Sequence, residues 1–436
     1  MKRQITVIAI LTIVSQLAAF VKLWVTARTF GVDAAVDGYN LALVVPVLLS
    51  SSLSGIVQTG LFPVRGQIAA RESAEDVDAF ERAVLLGLLL LGLGLSIVLA
   101  LAMSLITSWV AGDASEATQQ AFKLAFLPLI SLLALNVVGD CTGYLLAMRN
   151  RFAIAAGAPV ANGLIGALIL LVFNDGGVSA LVWSTVVGVA LQVSICIYGL
   201  STLRLNLIGA LPPRRSFAAA VVDMARLGVW MVPGVILSNL VLSLPQVWIT
   251  GFGDGAVSAF GYALRLHLAA IQLIIMASST VILAKFAELV WTQQTQQVDK
   301  IMRNSVLAGW AIGILGVLCV GLIGEPTLNI LLDGKFTPDA AHRVSMHWLI
   351  VTASLPCTIM SNIYAKLWQA QGKPFLMTLL SAMNLGIMYV TFMLVSTSFF
   401  EYSGAVALTA GATISAFLAV IIEWYRRSHA RSVGAI

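Results

Sequence analysis

The stretch FGVDAAVDGYNLAL, residues 30–43, is echoed about 220 residues later by FGDGAVSAFGYALRL, residues 252–266. Both read Phe-Gly, an Asp within two or three residues, Ala-Val, then Tyr followed shortly by Ala and Leu. A second echo pairs LAMRNRFAIAAGAPVANGL (146–164) with WQAQGKPFLMTLLSAMNLG (368–386), each a short basic turn, then Phe, with Asn nine or ten residues on. Internal echoes of this kind mark chains built from repeats.

Working outward, the windows between polar punctuation give twelve apolar helices, at about 5–27, 38–62, 83–109, 121–147, 152–173, 178–200, 223–249, 257–283, 304–331, 344–367, 374–396 and 403–425. The first echo opens helices 2 and 8, the second helices 5 and 11. Partners lie six spans apart, an even number, so the halves share one orientation and are related by an axis along the membrane normal. The fold expected is an all-α polytopic membrane protein of twelve transmembrane helices in two six-helix lobes. Those lobes are 1–200 and 223–425, joined by a cytoplasmic linker at 201–222 carrying LPPRRS and followed by a tail at 426–436. Pro128 and Pro356 fall in equivalent helices 4 and 10, where a kink in each half is expected.

Composition agrees. Of 436 residues, 59% are hydrophobic and 10% charged, and the mean hydropathy is +0.95, outside the range of soluble globular chains. A bilayer core of about 30 Å needs roughly 20 apolar residues per helix. Cys141, Cys196, Cys319 and Cys357 stand singly, which indicates neither a disulfide framework nor a zinc site. No basic run interleaves with aromatics, so the net charge of +5 does not point to nucleic acid. The N-terminal MKRQITVIAILTIVSQLAAFVKLWV lacks a convincing cleavage site and reads as the first span.

The positive charge follows topology instead. Nineteen of the 25 Lys and Arg fall on one side of the twelve-span arrangement, and only Arg28, Lys123, Lys335 and Arg343 on the other. Cytoplasmic loops collect such residues, so both termini are expected in the cytoplasm.

Two cations, Lys22 and Arg265, fall inside spans, at similar depth and in different halves. Intramembrane charge costs about 2.5–3.5 kcal/mol at a helix centre on insertion scales and tends to line cavities. Facing one another across a central cleft, the pair would receive a multiply charged anion such as a diphosphate. The alternatives are snorkelling for Lys22 and, for Arg265, a structural pairing with Asp33 or Asp37. Asp140, in helix 4, is the carboxylate placed to bind a coupling cation or proton, or else to pair with Arg149 or Arg151. His267, two residues from Arg265, falls on nearly the opposite helix face and reads as packing. Metal spacing, nucleophile motif and phosphate loop are all lacking, so the residues read as a carrier rather than an enzyme.

The ordered set ARTFGVDAAVDGYNLALVVP, GLFPV, RNRFAIAAGAPVANGLI, ALVWSTVVGVALQ, YALRLHLAAIQ and GKFT resembles the MurJ (MviN) family of lipid II flippases, within the multidrug/oligosaccharidyl-lipid/polysaccharide exporter superfamily. The resemblance implies a V-shaped bundle of two lobes. It also implies alternating access and transport of an undecaprenyl-diphosphate-linked saccharide to the outer leaflet of the bacterial inner membrane. On it, Arg265 matches the family's cavity arginine in helix 8, Asp37 its Asp opening helix 2, and Arg28 the Arg before Phe-Gly, while Lys22 replaces an arginine. Gln16 and Ser50 stand where family members carry arginines, and the chain stops after helix 12 where the family has two more. These departures favour an exported polysaccharide repeat unit over lipid II. No bound cofactor is expected beyond a coupling ion, H+ or Na+, or the membrane potential. Membrane lipid and cell-envelope glycan synthesis enzymes are the candidate partners of a monomer. Competing readings are a cation-coupled drug exporter of the same superfamily and a non-transporting scaffold of a wall-synthesis complex.

Overall fold

The computed structural model describes residues 2–203, 209, 211–228, 232–331, 334–373 and 375–433. In chain order its helices are α1 Lys2–Phe30, α2 Ala34–Arg71, α3 Ala74–Leu101, α4 Met103–Val110, α5 Glu116–Leu129, α6 Ser131–Met148, α7 Phe152–Val172 and α8 Gly177–Ser201. They continue with α9 Arg214–Gly228, α10 Val232–Trp248, α11 Ala256–Trp291, α12 Thr295–Leu331, α13 Pro338–Thr352, α14 Leu355–Ala370, α15 Phe375–Phe399 and α16 Ser403–Val433. No strand occurs among the described residues.

Eleven stretches of the described chain are long and apolar enough to cross a membrane by length and composition. The last, Phe375–Arg426, takes in both α15 and α16 across a 3-10 turn at Phe400–Tyr402, so twelve segments of crossing length are present. The fourth and tenth are broken, α5 from α6 at Ile130 and α13 from α14 at Ala353–Ser354. Pro356 stands in the first turn of α14, where its missing N–H leaves no helical bond unmade, and Pro128 lies in α5 two residues before the other break.

One expectation shifts. The seventh span is expected from 223, but 223–228 belong to the amphipathic helix α9, Arg214–Gly228, and α10 runs over Val232–Trp248. Phe217 of α9 packs against Phe80 of α3 with ring centroids 6.4 Å apart, and Met224 lies against Gly60 of α2. The apolar residues of α9 are there to dock it on a neighbour, which in a hydropathy reading looks like the start of a span.

The chain forms two compact units, one of Met1–Asn239 with Gly253–Ser258 and Leu332–Phe336, the other of Leu240–Phe252, Ala259–Leu331 and Thr337–Ile436. In the first, Phe122 and Phe126 stack at 5.1 Å beside buried Leu129, Leu132 and Leu133. In the second, Phe286, Leu289, Val298, Leu355, Ile359 and Leu367 form the main cluster. Large apolar side chains such as Leu90, Leu101, Leu322 and Leu394 point outward, as a lipid-facing surface requires.

The second echo is visible inside each unit separately. Asn162 of α7 lies under Gly188 of α8, and Asn384 of α15 under Gly411 of α16; in both, an added Cβ would overlap the amide oxygen and sit 3.0 Å from the Asn carbonyl oxygen. Only glycine, which lacks a Cβ, admits this approach.

Candidate functional site

The first echo converges on one end of the first unit. Helix α1 ends at Phe30, and Gly31 turns the chain with φ +68°, the left-handed conformation that closes helices. A side chain at Gly31 would collide with the Lys335 carbonyl, because residues 334–336 run across the end of α1. The Lys335 amide donates to the Arg28 carbonyl at 3.0 Å, satisfying an acceptor the helix end leaves open. Asp33 then caps α2, accepting from Ala35 N at 2.7 Å and Val36 N at 3.3 Å.

One turn later Asp37 reaches across to the start of α11. Its carboxylate accepts from Gly255 N and Ser258 N, both at 2.6 Å. These are the donors a capping residue ordinarily serves, met here by a carboxylate from another helix at the positive end of the α11 dipole. Asp254, in the same turn, accepts from Ser115 Oγ at 2.5 Å and Thr118 Oγ1 at 3.1 Å at the start of α5. The two FG…D…AV motifs therefore dock on one another. Asp37 was expected among substrate-binding residues; it is 1% exposed, and both its oxygens are taken by backbone amides. It is a clamp.

Lys22 is half-buried and does not snorkel. Its stem crosses α7 at Gly166, where a Cβ would stand 2.8 Å from Lys22 Cδ. Its ammonium donates to Thr185 Oγ1 at 3.0 Å and approaches the Ser184 carbonyl at 3.4 Å, both on α8. Thr185 Oγ1 also lies 2.6 Å from the Tyr39 hydroxyl, so the chain of polar contacts returns to α2, two residues beyond Asp37. Arg28, exposed in the last turn of α1, holds its guanidinium 5.5 Å from the Trp24 ring, a cation–π contact. Gln16 is half-buried earlier on α1.

Ser50 is 1% exposed. Its hydroxyl donates to the Val47 carbonyl and accepts from Asn136 Nδ2 at 3.3 Å, inside the contact between α2 and α6. An arginine there would have to enter helix packing.

Asp140 is exposed on α6 with Ser54 of α2 beside it. Arg149 engages other carboxylates, Asp78 and Glu81 of α3. Glu81, 0% exposed, also accepts from Arg65 Nε at 2.9 Å, so one buried carboxylate ties α2, α3 and the α6–α7 turn together. In sequence Arg65 reads only as loop charge, and Arg149 as loop charge or a partner for Asp140. The signal for Glu81 is Asp78 and Glu81 one turn apart at the mouth of an apolar run, where burial requires partners.

In the second unit Arg265 is exposed on α11, about 14 Å along the helix from Ala256 by helical rise. His267 is buried and faces Thr352 of α13 at 3.4 Å, the packing role expected of it. An exposed guanidinium on a crossing-length helix is of the chemistry that pairs with an anion.

Comparison with known proteins adds the following. The family model described as lipid II flippase MurJ matches residues 26–434. A probable lipid II flippase MurJ of Rickettsia prowazekii (strain Madrid E) is 23% identical over 388 residues, spanning 84% of this chain and 72% of the relative. Among solved structures, a lipid II flippase MurJ in an inward closed conformation superposes with TM-score 0.79 at 17% identity, covering 95% of this chain and 86% of that one. An inward-facing multidrug resistance MATE family transporter of the MOP superfamily superposes with TM-score 0.76 at 15% identity, covering 97% and 96%.

Proposed function

The chain belongs to the lipid II flippase MurJ family, and from that premise we propose that it carries a lipid-linked saccharide bearing a diphosphate, of the lipid II kind, from the cytoplasmic to the outer leaflet by alternating access. The observation that supports this most is the exposed Arg265 on α11. Arg265 carries a guanidinium at the surface of a crossing-length helix, whereas the carboxylates Asp33 and Asp37 are committed to backbone amides. In this reading Arg265 grips the diphosphate and Lys22 contributes the second cation. Arg28 and Gln16 border the path, and Asp140 binds the coupling ion. The six-span halves 1–200 and 223–425 are the moving bodies, with both termini cytoplasmic.

Lipid II is preferred here to a polysaccharide repeat unit. The case for the latter rests on Gln16, Ser50 and the two further helices of the family, and of these Ser50 lies within a helix contact, so its identity says little about cargo. The family description and the Rickettsia relative both name lipid II. A cation-coupled exporter is the second reading, supported by the exposed Asp140.

Complementation tests the proposal. Expressed in cells depleted of their own lipid II flippase, this protein should restore growth, and Arg265→Ala, at equal membrane abundance, should not. Failure of the unmodified protein there, together with rescue of a strain lacking a polysaccharide repeat-unit flippase, would reassign the cargo. Reporter fusions after residues 113, 175 and 401 should all read outside; a cytoplasmic signal at any would break the topology at that span.

A further inference from the structure

His347, on α13 in the second unit, is 0% exposed, and among the described residues neither of its ring nitrogens has a hydrogen-bond partner. Rings enclose it instead. Tyr402, in the turn between α15 and α16, has its ring centroid 4.7 Å from the imidazole, and Phe260 of α11 meets it edge-on at 5.8 Å. Buried His267 differs in having Thr352 at 3.4 Å. A neutral imidazole carries one donor and one acceptor, and a buried polar atom without a partner loses its hydration for nothing in return. An apolar ring of similar size would pack there without that loss, so the histidine calls for a reason beyond packing.

The ionised groups around it stand one turn away. Arg343 precedes His347 on the same face of α13 and donates through Nε to both oxygens of Glu401, at 3.1 Å each. Glu401 is next to Tyr402 in the chain and lies within hydrogen-bonding reach of its hydroxyl. Asp339 is a further turn along α13. From α11 comes Phe260, which cannot titrate, and α12 brings Glu325, which His342 engages at 3.0 Å and Ser345 at 3.5 Å. Helix α16 opens with Ser403, also 0% exposed and with no partner for its hydroxyl among the described residues. The imidazole thus sits at the bottom of a short file of polar groups, Arg343, Glu401 and Tyr402. On the loop-charge count, that end of α13 faces outside.

We propose that His347 is a proton-binding site served from the outer side, and that its loading loosens α13 from α11 and from the α15–α16 turn. The proton comes from water on that side and rests on an imidazole nitrogen. In the packed arrangement the resulting imidazolium has two N–H donors, no acceptor, and the Arg343 cation one turn away. It is accommodated by drawing Glu401 from Arg343 or by meeting water, and either move displaces the Tyr402 ring and parts it from the imidazole. A ligand that binds one arrangement better than another shifts the population toward it, and the proton is such a ligand here. Acid outside therefore opens this corner of the second unit, and alkali packs it. Because Phe260 and Arg265 share α11, the helix released is the one that carries Arg265. The site is separate from Asp140.

Solid-state NMR of the full-length protein in proteoliposomes, with nitrogen-labelled histidine, reads the protonation of each imidazole, and the signal missing from His347→Phe belongs to His347. Between about pH 8 and about pH 5.5 that signal should pass from neutral imidazole to imidazolium. Over the same range, amide hydrogen exchange across 338–352, corrected for its intrinsic pH dependence, should rise by about three- to tenfold. The rise should vanish in both His347→Phe and His347→Gln. Glu401→Gln, which removes the carboxylate available to the imidazolium, should lower its fraction at the acid end by about threefold or more. A His347 that stays neutral across the range, one that charges without any change in exchange, or an exchange rise that survives in folded His347→Gln would each overturn the proposal. Neither readout needs transported cargo, so the outcome is independent of the flippase assignment.

Discussion

Lys22 and Arg265 are both cations set within apolar helices, yet the protein holds them differently. Lys22 is threaded past Gly166 and engaged by Thr185 on α8, so much of its bonding capacity serves the packing of α1, α7 and α8. Arg265 is exposed on α11. An intramembrane charge in the sequence therefore does not by itself say whether the side chain is half-buried among helices, as Lys22 is, or exposed, as Arg265 is. Asp37 is linked to the elements that carry them. Its carboxylate caps the helix that carries Arg265, and two residues on, Tyr39 joins the Lys22 chain.

The largest effect should come from that clamp. Asp37→Ala strips two charge-assisted bonds and leaves two buried N–H groups unmet, which should cost about 3–5 kcal/mol of stability. Asp37→Asn keeps one acceptor and should cost about half. Melting of the purified protein in detergent measures both; an unchanged melting temperature for the alanine variant would remove Asp37 from the account.

Arg265→Ala should leave melting unchanged and weaken binding of a diphosphate lipid by about one to two decades, the value of a charge-assisted contact near 1.5–3 kcal/mol. Arg265→Lys should recover part of this, since a lysine keeps the charge without the fork. Overpacking predicts the next effect. Ser50→Arg should destabilise by about 1–3 kcal/mol, because the side chain must displace Asn136; normal melting with improved transport would instead place position 50 on the cargo path.

Lys22→Met should be milder. Methionine fills the passage beside Gly166 and forfeits a hydrogen bond to Thr185, worth about 1 kcal/mol. Its loss should appear in stability more than in affinity, the reverse of Arg265→Ala. If Lys22→Met lowers affinity as far as Arg265→Ala does, the contrast between the two cations collapses.

Much of the fold was legible in the sequence because hydropathy reports helix length directly, and prolines 128 and 356 lie beside the breaks in spans four and ten. The Asn of the second echo was also legible, though not its reason, the glycine crossing at Gly188 and Gly411. That 223–228 belong to α9 was not, since its apolar packing residues read as part of the seventh span. Asp37 was read as ligand-facing because a motif records that an acid is needed without recording its partner. Glu81 was missed for the opposite reason, as its partners Arg65 and Arg149 are distant in sequence and each had a sufficient explanation as loop charge.

The most direct test of the account is equilibrium binding of an undecaprenyl-diphosphate-linked saccharide to the purified protein in lipid nanodiscs, compared across wild type, Arg265→Ala and Lys22→Met. Wild type should bind saturably, with a loss of about ten- to hundredfold for Arg265→Ala at intact melting and a loss under about fivefold for Lys22→Met. Equal affinity for wild type and Arg265→Ala, with both proteins folded, would contradict it.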